Sequence, residues 1–293
     1  MTGASTGGRS AGTGRGLLAR VRSAGWLAAL PLLVFYAVVF GGPAVMIVIG
    51  AFTVDGRPSL DNMERSLQGG YLTALLGSVR LSAVVAIAGA VLGTLLAQAV
   101  VTSRSRWLRE SVLTASGVLA NFGGVPLAFL WIATLGNAGV VTTTFGLDRF
   151  GWSLYNFWGL ALVYLYFSVP LMVLVMTPAL DGLRPQWREA ALNCGATPWQ
   201  FWRHVGIPVL APSLLGGVVL LFGGAFAAYA TAAAMVGATV PLVTLMIGDA
   251  LSGQVLVGHQ NVALALSLDM ILVAGLVMAV YLPMQRRSAR WLR

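Results

Sequence analysis

Residues 187–212 read WREAALNCGATPWQFWRHVGIPVLAP. This is the most polar long stretch in the second half of the chain, and apolar segments long enough to cross a bilayer flank it on both sides. Its punctuation is that of two short helices. Pro185 suits the first turn of a helix, where its missing N–H would have had no partner, and QWREAALNC continues with good helix formers. Gly195 is placed to close that helix in the left-handed conformation. Thr197 then stands as an N-cap and Pro198 as the first residue of a second helix, PWQFWRHV. Pro208 and Pro212 are expected to end it and lead into the next apolar run. The product is a bracket within 181–212 with an apolar side (Ala190, Ala191, Leu192, Phe201, Trp202) and a polar side (Arg188, Glu189, Asn193, Arg203). On these residues alone two readings stay open. One is a helix pair lying on the headgroups, anchored by Trp199, Trp202 and the arginines; the other is a docking surface for a cytoplasmic partner.

The rest of the chain identifies what flanks the bracket. Of 293 residues, 58% are hydrophobic and 9% charged, with a mean hydropathy of +0.84, whereas a soluble domain carries roughly 25% charged residues. This is an integral membrane protein. At about 20 apolar residues per crossing, six spans are expected: 26–52 (bent near Pro31 or Pro43), 73–101, 112–135, 153–178, 213–236 and 262–284. The segment NFGGVP interrupts the third. Residues 237–261 contain Pro241, Asp249, His259 and Gln260 and are expected as a loop with one interfacial helix. The runs are far too long for barrel strands, and lipid leaves only helices or closed barrels to satisfy the backbone. The fold class is therefore an all-α membrane protein with six transmembrane helices. Residues 1–25, rich in Gly, Ser, Thr and Arg, are expected as a disordered tail, 26–284 as the six-span domain, and 285–293 as a basic tail. The apolar run after residue 25 is too long for a signal-peptide core and lacks a small-residue cleavage site, so it is expected to stay as an anchor.

All 18 basic residues are Arg, against nine acidic ones, for a net charge of +9. Fourteen of them (Arg9, Arg15, Arg20, Arg22, Arg104, Arg106, Arg109, Arg184, Arg188, Arg203, Arg286, Arg287, Arg290 and Arg293) fall on one side of this map, which places both termini and the bracket in the cytoplasm. Arg57, Arg65, Arg149 and the boundary residue Arg80 are left on the other. Short arginine runs at the ends of apolar segments are topology signals. Without an RNA-binding aromatic pattern or zinc spacing, the expected partner is membrane lipid and not nucleic acid. The single cysteine, Cys194, excludes an internal disulfide and a Cys-based metal cluster. His204 and His259 lie on opposite sides and read as separate surface histidines, so no metal or cofactor is expected. GAVLG (Gly89, Gly93) and the doublets Gly216–Gly217 and Gly223–Gly224 would let helices approach closely.

The bracket also carries a pattern. Glu189-Ala190-Ala191, three residues, Gly195, nine residues, then Val205-Gly206-Ile207-Pro208 resembles the EAA signature of permease subunits of binding-protein-dependent ABC importers, Glu-Ala-Ala, Gly, Ile-x-Leu-Pro, with conservative changes at its two aliphatic positions. Six spans, the loop between the fourth and fifth, and TVDGRPSLDNMERSL after the first extend the resemblance. It implies a bacterial plasma (inner) membrane location and a coupling loop in which Arg188, Glu189, Ala190, Ala191, Gly195, Thr197, Pro198, Ile207 and Pro208 fit a cleft in an ATPase. It also implies two ATPase subunits, a second permease subunit, expected to be unlike this one, and an extracytoplasmic solute-binding protein. The chain has no Walker-type GxxxxGK[ST], indeed no lysine, so ATP hydrolysis is expected in a separate chain. FGGAFAAYATAAAMVG and NVALALSLDMIL are most similar to the subgroup importing polyamines, ferric iron or phosphonates.

Four residues are candidates for the solute pathway. Asp269 is the only acidic residue well inside an expected span, where a carboxylate is costly and faces a cavity or a partner; the alternative is a packing hydrogen bond between helices. Asn121, Tyr229 and Thr231 carry the same two readings. An ion-coupled secondary transporter is the main rival, but it would show several buried ionisable groups and an internal repeat. A membrane scaffold would leave the bracket unexplained.

Overall fold

The computed structural model describes residues 29–54, 56–252 and 260–288; the expected N-terminal tail, His259 and residues 289–293 lie outside them. The chain separates at Gly50 into two units, each described by itself. The first is carried by α1 (Ala29–Ala51), in which a π-helical turn, Ala37–Gly41, immediately precedes Gly42-Pro43. Pro43 has no N–H to give the preceding turn, and a wide turn there absorbs the mismatch.

The second unit opens with a two-stranded hairpin, β1 (Thr53–Val54) and β2 (Arg57–Pro58), and a short helix, α2 (Asp61–Ser66). Helices α3 (Gly69–Thr102), α4 (Arg106–Leu119), α5 (Val125–Leu135), α6 (Val140–Phe145) and α7 (Phe157–Asp181) follow. After α8 (Pro185–Asn193) come α9 (Pro198–Ala227), α10 (Ala230–Met235), α11 (Val243–Leu251) and α12 (Gln260–Ser288). Among the described residues, six helical stretches are long and apolar enough to cross a membrane. α3 and α7 form the spine. They approach closely because Gly89 and Gly93 face α7: a Cβ on Gly93 would lie 2.4 Å from Cβ of Met172 and 2.8 Å from the Val169 carbonyl oxygen. Gly217 of α9 meets the Met172 sulfur in the same way, whereas Gly223 and Gly224 have open space beside them. The expected close approach holds for the first doublet and not for the second.

The expected third span, 112–135, is not one helix. α4 begins earlier, at Arg106, and ends at Leu119; α5 resumes at Val125. α4 packs Leu113 on the Met172–Leu180 half of α7, whereas α5 packs mainly on α10 and meets α7 through the edge-to-face rings of Trp131 and Tyr166. The Arg109–Asp181 ion pair joins α4 to α7, and the Trp152 Nε1–H bond to the Leu135 carbonyl (3.1 Å) ties the end of α5 to the segment before α7.

The expected fifth span, 213–236, is corrected at both ends. The second bracket helix does not stop at Pro208. It runs through a π turn, Trp202–Gly206, into the span and ends at Ala227, before a break and α10. The wide turn, closed by the Ile207 N–H on the Trp202 carbonyl, lets the helix continue through Pro208, which has no N–H to give. Residues 237–251 also differ from a loop with an interfacial helix: α11 buries Val243, Leu245 and Ala250, and the Val243 N–H donates to Ser78 Oγ at 2.9 Å. At the C-terminus α12 continues through Pro283 to Ser288, so the basic tail expected from residue 285 begins as helix.

Candidate functional site

Two places in the fold gather the candidate residues. In the bracket, Pro185 occupies the start of α8, and no residue of α8 is buried. Gly195 closes it with φ +76°. Its N–H donates to the Leu192 carbonyl at 2.9 Å, and the Ala196 N–H reaches back to the Ala191 carbonyl at 3.0 Å, the closure expected of a left-handed terminus. Nothing lies within 4 Å of a Cβ built on Gly195, so backbone conformation and not space selects glycine there. Thr197 then forms a capping box: its Oγ1 accepts from the Gln200 N–H (3.3 Å), and its own N–H donates to Gln200 Oε1 (2.7 Å).

Arg188 and Glu189 project outward and make no ion pair among the described residues. The expected apolar side divides in two. Phe201 is buried and Trp202 packs on the bundle, whereas Ala190 and Ala191, with Trp187, Cys194, Val205 and Val209, line an open cleft of about 730 Å³ between α8 and the foot of α9. Ile207 is half exposed and Pro208 partly covered. His204 Nδ1 bonds the Gln200 carbonyl at 3.0 Å.

The second place is where two helices break. The α4–α5 break at Ala120–Gly124 and the α9–α10 break at Ala228–Tyr229 face each other. Gly124 has φ +79°. Its N–H donates to Thr231 Oγ1 (3.0 Å), and that hydroxyl donates to the Gly124 carbonyl (3.2 Å). The Tyr164 hydroxyl donates to the Ala228 carbonyl (3.0 Å), and the Asn121 amide to the Gly117 carbonyl (2.9 Å). Backbone freed from a helix at membrane depth must find such partners. Tyr164, which the sequence reading missed, lies in an aromatic run that gives no sign of this role.

Asn121, Phe122, Gly123, Tyr229 and Ala230 are nonetheless exposed. The ring of Tyr229 lies across Gly248 of α11, where a Cβ would sit 2.7 Å from it. Asn121, Tyr229 and Thr231 are thus brought to one region. Asp269 belongs to another, where α12 packs on α2. It is 4% exposed, with the Ser66 hydroxyl beside its carboxyl and Oδ2 without a hydrogen-bond partner among the described residues.

An apolar helical bundle with paired helix breaks and a protruding capped bracket has the build of a membrane permease. Residues 89–292 match the family described as binding-protein-dependent transport system inner membrane component, and the chain belongs to it. It is accordingly a multi-pass permease subunit of an ABC importer in the bacterial inner membrane, which sets the secondary transporter aside.

The chain is 40% identical to the sulfate transport system permease protein CysT of Escherichia coli over 68 residues, 23% of this chain and 24% of that protein. It is 26% identical to the trehalose transport system permease protein SugB of Mycobacterium tuberculosis over 166 residues, 56% of this chain and 55% of that one. The fold is that of a bacterial ABC transporter importing the acidic polysaccharide alginate, with a TM-score of 0.69 at 19% identity over 94% of this chain and 98% of that chain. A second structure of such an alginate transporter, in complex with an alginate pentasaccharide-bound periplasmic protein, gives 0.71, again at 19% identity, over 92% and 96%. The chain thus spans about a quarter of CysT and about half of SugB. These names do not support the polyamine, ferric iron or phosphonate subgroup.

Proposed function

We propose that the bracket, Pro185 to Pro208, is the seat of a separate ATPase subunit, and that the paired helix breaks form one wall of the solute pathway. The observation that carries the first part is the continuity of α9. The second bracket helix and the fifth span are one helix from Pro198 to Ala227, so a push on the bracket reaches the break at Ala228 without crossing a loop. Helix α8, of which no residue is buried, with Arg188 and Glu189 outside any ion pair among the described residues, supplies the docking face. A physical constraint supports the second part. Exposed non-helical backbone at membrane depth is tolerated only against protein or a water-filled cavity, and Asn121–Gly123 and Tyr229 are exposed. A second permease subunit, unlike this one, would complete the wall, and an extracytoplasmic binding protein would deliver the solute.

The solute that fits is polar and either uncharged or anionic. Asp269, the carboxylate within a span that would answer a cation, packs on α2 and not at the breaks, and the polar groups at the breaks are amide, hydroxyl and backbone. The relatives named for sulfate, trehalose and alginate lie in the same chemical range.

Cys194 tests the docking geometry because it is the sole thiol, is exposed, and lines the bracket cleft. A membrane-impermeant maleimide should leave it unlabelled in intact cells and label it once the membrane is opened. Bound ATPase should then slow the reaction. Labelling from outside the cell would invert the topology and end the docking reading.

A further inference from the structure

Arg80 is a charged residue that the importer reading does not use. It lies within the Gly69–Thr102 span, has no carboxylate partner among the described residues, and sits 5.2 Å over the ring of Phe157. A cation in a span is retained where something answers its charge, and a ring face does not neutralise it.

Around it is a cleft of about 470 Å³ walled by α3, the first turn of α7 and the 239–241 segment, with Thr73, Asn156 and Thr239 in its lining and no acidic residue. The walls are tied together. The Thr239 hydroxyl bonds the Tyr155 carbonyl at 3.2 Å, and a Cβ on Gly77 would lie 2.5 Å from the Pro241 carbonyl oxygen, so the two segments are in contact. The positive end of the α7 dipole adds to the potential there.

The same face of α3 continues as an exposed apolar stripe. Leu76, Arg80, Ile87, Val91 and Leu95 recur at helical spacing, and the four apolar members are 54% to 63% exposed. Between this stripe and α9, a groove of about 340 Å³ is lined by Ile87, Val91, Leu95, Leu214 and Val218. At 1.5 Å per residue it begins about 10 Å along the helix from Arg80 and extends to about 22 Å. That is the span of an acyl chain in one leaflet, about half of a 30 Å hydrocarbon core beyond the headgroup.

We infer that this face binds one anionic phospholipid, its phosphate on Arg80 in the Phe157 cleft and an acyl chain in the α3–α9 groove. The leaflet is the one opposite the bracket, because Arg80 and Phe157 stand at the far end of α7 from Asp181. Charge complementarity selects the anionic headgroup, and the groove below it distinguishes a lipid from free phosphate. The inference needs only a membrane-spanning chain and is independent of the ATPase-docking reading.

The experiment is native mass spectrometry of the full chain with its co-purifying partners, from mixed micelles holding equal amounts of phosphatidylglycerol and phosphatidylcholine. The wild type should retain phosphatidylglycerol about fivefold over phosphatidylcholine, the preference one basic residue confers. Arg80→Gln should bring the ratio to about one, and Arg80→Lys, which keeps the charge, should preserve most of it. Val91→Trp should reduce retention of both lipids by filling the groove. An unchanged ratio in Arg80→Gln would overturn the inference, as would displacement of the lipid by inorganic phosphate. So would a benzophenone side chain at Leu95 that cross-links to polypeptide instead of lipid, because a protein helix would then occupy the groove.

Discussion

The bracket and the paired helix breaks are both departures from straight transmembrane helix, and they are held in opposite ways. The bonds that close the turn of the bracket are local. Gly195 to Leu192, Ala196 to Ala191, and Thr197 with Gln200 span five residues or fewer. The breaks are held across the molecule, Gly124 to Thr231 over 107 residues and Tyr164 to Ala228 over 64. A locally built element keeps its shape while exposed to water and free to receive a partner. One built from distant pairings depends on the packing of the whole bundle, and its geometry changes when that packing changes. A shape-keeping lever joined by one helix to a packing-dependent wall is a mechanically sensible way to convert docking into opening.

The largest effect should come from breaking the lever's own shape. Gly195→Val places a β-branched residue at φ +76°, where an L residue bears roughly 1–2 kcal/mol of strain. The turn should shift, since nothing nearby holds it. Solute uptake should fall at least tenfold while the subunit stays in the membrane, because no residue of α8 is buried in the bundle. Pull-down of the ATPase should fall in parallel. Glu189→Lys, which reverses an exposed charge on α8, should weaken the pull-down with the turn intact. Normal ATPase association and transport in both variants would remove the distinction between lever and wall.

A smaller loss is expected at the wall. Thr231→Val keeps the shape of the side chain and removes the hydroxyl that serves both the N–H and the carbonyl of Gly124. Leaving a buried group unpaired costs about 1–3 kcal/mol, although interhelical bonds in membranes average nearer 0.6. Thermal stability in detergent should drop by a few degrees and uptake severalfold, with ATPase association unchanged, and Thr231→Ser should restore both. A loss of ATPase binding in Thr231→Val would show that the bracket also depends on the distant pairing.

The same contrast sets what the sequence makes legible. The bracket could be read residue by residue because Pro185, Gly195, Thr197 and Pro198 act on their immediate neighbours, and each stands in the conformation its chemistry favours. The six apolar runs and the close approach at Gly89 and Gly93 were legible from composition and spacing. NFGGVP announced an interruption, but its partner did not. FAAYAT is apolar enough to continue a helix, and only the facing Gly124 and the distant Tyr164 hydroxyl make a break there sustainable. Pro208 misled for the opposite reason. The residue forbids a regular turn, and the π turn at Trp202–Gly206 that admits it appears nowhere in the local code.

Asp269 gives the smallest expected effect and the sharpest test of where the wall ends. From sequence an isolated carboxylate in an apolar span points toward the pathway, with reduced uptake on neutralisation. The structure sets it against α2, beside Ser66. Nearby, the Asn62 and Asn261 side-chain amides both donate to the Thr53 carbonyl, at 3.0 and 3.1 Å, and tie the 53–66 segment to α12. In that position we expect it to hold a connection, and Asn keeps a polar group beside Ser66, whose own hydroxyl donates to the Met63 carbonyl at 2.9 Å, while removing a charge that is costly to bury. Asp269→Asn should therefore keep uptake within about twofold of wild type, in line with the small effect of a polar exchange that preserves a partner. Asp269→Leu should lose the Ser66 contact and speed tryptic cleavage at Arg65 without altering ATPase association. A tenfold fall in uptake for Asp269→Asn with cleavage unchanged would extend the transport wall from the breaks to the α2–α12 contact. The carboxylate would then count among the groups that select the solute, and a cationic cargo would return to consideration.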